Sequence, residues 1–142
     1  MSEIFKKFLP ILAVCFLLGA CLRPSQELVL TELNADRRAH ELPALNINWN
    51  AQTKAQAWAD KLARENKLYH STLPDGIKVK WCSLGENVGY GPSVTAIEDA
   101  YMASPGHRAN ILSTKWNGAV VGYAKTPDSK RIFTVQVFIK TC

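Results

Sequence analysis

Apolar residues recur at helical spacing through the first half of the chain and alternate with polar ones only near its end. From Gln26 to Glu41, Leu28, Leu33 and Ala35 mark a helical stripe, with Ser25 at the cap, Glu27 in the first turn and Pro43 as the stop. A short extended link, LPALNINWN, follows. Ala51, Ala55, Trp58, Ala59 and Leu62 then predict a second helix over 51–66, capped by Asn50. Its alanines let a neighbouring layer approach closely, and Trp58 belongs to the same core stripe. Residues 70–93 are rich in Gly, Pro, Ser and Asn and read as loop. Ser93 or Thr95 caps a third helix ending near Ala103, and a short fourth helix runs from about His107 to Leu112 after a Ser-Pro-Gly turn. Two β segments close the chain, Ala119–Lys125 and Arg131–Ile139, with TPDSK between them as a hairpin turn. Helices first and an antiparallel hairpin last predict an α+β fold.

The amino terminus bears on the compartment. Lys6 and Lys7 precede an apolar run from Phe8 to Ala20, shorter than the roughly 20 residues of a membrane-spanning helix. Leu18, Gly19 and Ala20 before Cys21 resemble a bacterial lipobox. On that reading residues 1–20 are a lipoprotein signal peptide, Cys21 is lipidated and becomes the first mature residue, 21–25 is a short tether and 26–142 is the folded domain. An ordinary secretory signal and an uncleaved anchor are the alternatives. The expected location is extracytoplasmic, on a bacterial membrane facing the periplasm or the cell surface.

Composition adds three limits. With 142 residues and 47% hydrophobic content the chain can build one domain with a core of its own. Its net charge of +5 is scattered, without the basic run that nucleic-acid binding needs, so no nucleic-acid partner is expected. Of the four cysteines, Cys15 leaves with the signal and Cys21 takes lipid. Cys82 and Cys142 remain, and in an oxidising compartment they predict one disulfide, with two free buried thiols as the alternative. Closing a loop of roughly sixty residues is worth about 4 kcal/mol.

Three side chains at element ends or in loops carry the candidate chemistry: His70, Glu86 and His107. Two imidazoles with a carboxylate as ligand or support suit a divalent metal such as zinc. A Glu–His pair also suits general-base work. His107 at a helix amino terminus is expected to be neutral, because orphan amides and the helix dipole disfavour the imidazolium. No HExxH, CxxC pair, GxSxG or phosphate loop is present. Ser71 adjoins His70, but adjacency in sequence rarely produces triad geometry.

The segments LTELNADRRAHELPAL, AQAWADKLARENKLYHS, LGENVGYG, SPGHRANIL and GAVVGYAK, in that order, resemble the CAP superfamily, specifically its bacterial SCP-domain branch. The resemblance implies a three-layer α-β-α sandwich around a central antiparallel sheet. It also implies an open cleft, which in many members holds two His and two Glu. His70, Glu86 and His107 match three of these. Ser104 stands where the second glutamate would be, and Glu98, six residues earlier, is out of phase with it by about 240°. Gly85 is expected to let the backbone run close to the cleft, Asn87 to hold Glu86 in place, and Ser104 and Asn110 to border the cleft. Arg108 and Asn110 read either as cleft polar groups or as helix surface. Tyr90 and Trp116 read as groove lining or core, and Trp81 as packing on the disulfide. Functionally the resemblance implies a binding module for a metal, a lipid or an envelope component, with a Glu/His-based or metal-dependent hydrolase and an adhesion protein as alternatives. No catalytic residue is assigned.

Overall fold

The structure, a computed structural model, describes residues 21–142. The predicted signal peptide, Cys15 included, lies outside the described residues. The element order is α1 (Pro24–Ala39), α2 (Gln52–Glu65), β1 (Trp81–Gly91), α3 (Val94–Ala103), α4 (Pro105–Ile111), β2 (Gly118–Lys125) and β3 (Ile132–Thr141).

Helix α1 opens on Pro24, whose missing N–H costs nothing in a first turn. Its buried face is Gln26, Val29, Leu33, Asn34 and Arg37, while Leu28 and Ala35 face solvent. The stripe expected through Leu28 and Ala35 is therefore rotated away from the true one. The cause is polar. Asn34 exchanges both amide bonds with Leu45, at 3.0 and 2.8 Å. Arg37, 1% exposed, donates to the carbonyls of Pro43, Ile111 and Ser113 at 2.9, 2.7 and 2.9 Å. Burial lowers the pKa of that guanidinium. It clamps the end of α4 and the link after α1, a task that apolar periodicity does not register.

The sheet has the order β1-β3-β2, antiparallel throughout. The hairpin predicted around TPDSK is present, and β3 extends two residues beyond the expected Ile139. The loop expected over 70–93 is corrected: residues 81–91 are a strand, paired from Ser83↔Lys140 to Gly91↔Ile132. Residues 133–139 of β3 are buried without a break, so its second edge requires a partner inside the protein. Main-chain pairing supplies it whatever the side chains, and glycine-rich β1 fits the role. The register slips between Trp81 and Ser83, and Cys82 at that slip forms the expected disulfide with Cys142.

Both sheet faces are covered, giving the α-β-α sandwich. Helix α2 lies on Val120, Val135, Val137 and Ile139. It comes so close that a Cβ on Gly122 would collide with the Ala55 carbonyl. The predicted close approach of the alanine stripe is thus realised through Ala55, Ala59 and this glycine. Helices α1, α3 and α4 cover the other face, where Leu33, Ile97, Tyr101, Ile111, Trp116 and Phe138 form the core.

Candidate functional site

Strand β1 lies at the edge of the sheet, and as in any strand neighbouring residues on it serve opposite faces. Glu86 pairs with Val137 and shares the α2 face. Asn87 pairs with Gln136 and faces α3 and α4. The chain leaving α2 carries His70 and Ser71 over this edge. His70 Nδ1 lies 2.8 Å from Glu86 Oε1, which also accepts the Ser71 N–H at 2.9 Å, while the Ser71 hydroxyl donates to Oε2. A carboxylate oxygen accepts, so Nδ1 is the donor and Nε2 is the ring nitrogen turned away from Glu86. The Glu86 side chain is 1% exposed and that of His70 63%. The buried Lys54 donates to the Thr72 carbonyl at 2.8 Å; burial lowers its pKa and the charge of Glu86 partly offsets this.

His107 is the third residue of α4, which starts two residues earlier than the sequence suggested because Pro105 fits a first helical position. Its ring packs on Tyr101 at 5.0 Å between centroids. Burial, and then the charge of nearby His70, hold its pKa below the usual imidazole value. The expected neutral ring follows, though burial and His70 are the causes that the structure identifies. Across β1 the two histidines thus present one exposed Nε2 tied through its ring to a carboxylate, and one ring biased to neutrality.

A buried chain of amides joins the two sides. Glu98 Oε2 accepts from Gln136 Nε2 at 2.6 Å, and Asn87 donates to Gln136 Oε1 at 3.1 Å and to the His107 carbonyl at 3.2 Å. Asn110 donates to Asn87 Oδ1 at 3.0 Å and to the Glu86 carbonyl at 3.3 Å. Asn87 therefore anchors α4, and Asn110 is the residue that holds the Glu86 backbone. Gly85 serves the same contact, since a Cβ there would meet Trp116 at 3.0 Å and Asn110 Oδ1 at 3.1 Å. Ser104, with Gly89, Ile97, Tyr101 and His107, lines a small cavity of about 210 Å³ that no carboxylate enters. Glu98 is buried within the helical layer, bonded to Gln136 rather than to any site histidine. Arg108 is surface, bonded to His40 Nε2 at 3.1 Å. Trp116 is core, Tyr90 is half exposed against Phe133, and Trp81 is partly exposed.

Gln136, Lys54 and the true partner of Ser71 were missed from sequence. Thr134 and Gln136 on one face of an otherwise apolar strand were a readable signal for a buried polar network. Nothing local to Lys54 or Ser71 announces a carboxylate so far along the chain. As for a metal, no three His, Cys, Asp or Glu side chains converge as a cage among the described residues. Both oxygens of Glu86 are already engaged. A site with Glu86 as a direct ligand therefore does not fit; imidazole nitrogen is the donor left for an ion, with Glu86 supporting His70 from behind.

Solved structures with this fold include an outer surface protein from Borrelia burgdorferi, with TM-score 0.73, 20% identity, and coverage of 83% of this chain and 93% of that one. An extracellular SCP-domain protein from Bacillus anthracis aligns with TM-score 0.67 and 24% identity over 87% of this chain. A cysteine-rich secretory protein from Staphylococcus aureus aligns with TM-score 0.67 and 19% identity over 82% of this chain. The alignments span only 45% and 39% of the latter two chains. No curated protein matches significantly. Among the described residues no helix is long and apolar enough to cross a membrane. The sequence model of the cysteine-rich secretory protein family matches residues 30–138, most of the chain, and the protein belongs to that CAP family.

Proposed function

We propose that the protein is a binding module held outside the cytoplasm, lipid-anchored through Cys21 to a bacterial membrane, whose cleft takes a metal, a lipid or an envelope component at His70, Glu86 and His107. One observation carries this reading: Glu86 ties down Nδ1 of an exposed imidazole, across an edge strand from a second imidazole kept neutral. A divalent ion such as zinc, when bound, supplies Lewis acidity to a ligand oxygen. His70 and His107 are the residues to hold it, and Glu86 orients His70 and strengthens it as a donor. Metal analysis after zinc exposure tests this. Wild type retains metal and the His70→Ala/His107→Ala double variant does not; equal uptake removes the metal reading. Anchoring is tested separately by palmitate labelling, which Cys21→Ser abolishes.

The same pair supports a second reading, water activation by His70 as base with Glu86 as its orienting carboxylate. Its test is a peptide and ester panel. Turnover lost in Glu86→Gln supports it, and turnover unchanged in that variant excludes it.

A further inference from the structure

We propose that the link between α1 and α2 forms a second binding site, for an uncharged sugar unit of a glycan. The site lies at the β2 edge of the sheet, opposite the edge that carries the histidine cleft. Asn46, Asn48, Trp49, Asn50, Asn117 and Thr141 line a cavity of about 320 Å³ there, and none of the side chains lining it carries a formal charge. That volume is at the small end of ligand cavities, roughly 300–1,000 Å³, and suits a ring or two.

The backbone presents these groups rigidly. Ile47 bridges Ala119 in parallel, the Asn46 carbonyl accepts from Ala119 N at 3.0 Å, and Asn48 N donates to the Ala119 carbonyl at 2.9 Å. In an extended segment Ile47 then turns inward, where it packs beside Val121, and Asn46 and Asn48 turn to the other side together. The Asn117 and Thr141 side chains are already joined at 2.8 Å, and the Thr141 N–H returns a bond to Asn117 Oδ1 at 3.0 Å. No hydrogen bond engages the side chains of Asn46, Asn48 or Asn50 among the described residues. Each amide offers a donor and an acceptor side by side, the pattern that neighbouring sugar hydroxyls complement. A charged ligand would meet no opposite charge here, and a wholly apolar one would strip water from the amides without replacing it.

Trp49 completes the chemistry. It is 46% exposed, and among the described residues its ring has neither an aromatic nor a cationic partner, unlike Trp58 and Trp116. An exposed indole beside unengaged amides suits the C–H face of a sugar ring, apolar in the middle and wet at the rim.

The full chain is titrated with three probes, followed by calorimetry and tryptophan fluorescence: N-acetylglucosamine tetramer, maltotetraose, and a sulfated tetrasaccharide. The two neutral probes separate acetamido-bearing glycans from plain hexose ones as the source. Saturable binding of at least one neutral probe is expected, insensitive to added salt because no charge takes part. Trp49→Ala and Asn48→Ala each weaken it by about fivefold or more, and Trp49→Phe retains most of it. His70→Ala/His107→Ala leaves it unchanged, so failure here and failure of the cleft reading are distinguishable. The proposal is overturned if neither neutral probe binds, if binding survives Trp49→Ala, or if only the sulfated probe binds.

Discussion

Replacing Glu98 by glutamine should stabilise the protein in alkaline solution and change little in acid. Glu98 is 3% exposed. One carboxyl oxygen accepts from Gln136 and the other has no partner among the described residues. Burial, followed by the negative charge of Asp36, pushes its pKa from an ordinary 4.5 to about 8, against the opposing pull of the Gln136 bond. Glu32 and Asp99 add to the upward shift. Between those two values the folded protein holds a proton that the unfolded chain has released. Stability is therefore fully present below about pH 4.5, falls as pH rises, and levels off above about 8. At about 1.4 kcal/mol per pH unit, the interval amounts to on the order of 4–5 kcal/mol. Glutamine keeps the acceptor for Gln136 and has nothing to titrate. Urea denaturation of both proteins from pH 5 to 9 reads the difference directly, because titrating groups that do not interact with residue 98 cancel in the subtraction. The variant should gain several kcal/mol on wild type across that range. A difference that stays constant with pH would mean that folding does not keep Glu98 protonated.

Three further outcomes follow from the same geometry. Asn87→Ala should cost about 3 kcal/mol in urea denaturation, because it removes the donor to the buried Gln136 Oε1 and the part-buried bonds to Asn110 and the His107 carbonyl. The double variant Cys82→Ser/Cys142→Ser should lose about 4 kcal/mol, and reducing the wild type should reproduce that loss. In NMR titrations the His107 ring should protonate below the ordinary imidazole range. His70→Ala should move that midpoint upward but leave it depressed, since burial is the larger cause. A midpoint unmoved by His70→Ala would mean that the two rings do not share a site.

Much of this protein is written locally. Helical periodicity placed α2, cap residues placed α3, alternation and a turn signal placed the β2–β3 hairpin, and residue identity nominated the disulfide and the three candidate site residues. Each rests on spacing within one segment, or on a residue type scarce enough to stand out. Three things required the folded chain. The Gly-rich segment 81–91 is a strand only because β3 has an edge to fill, and that edge is supplied by residues some fifty positions away. The buried face of α1 is decided by Arg37 and Asn34, whose carbonyl partners lie on the link and on α4. The meeting of His70 with Glu86, and the approach of His70 to His107 that the lowered His107 pKa registers, depend on layers that reach β1 from opposite sides. Main-chain pairing and the burial of polar side chains depend on what arrives from elsewhere. A one-dimensional pattern records a residue's own preferences, and only tertiary structure supplies its partners.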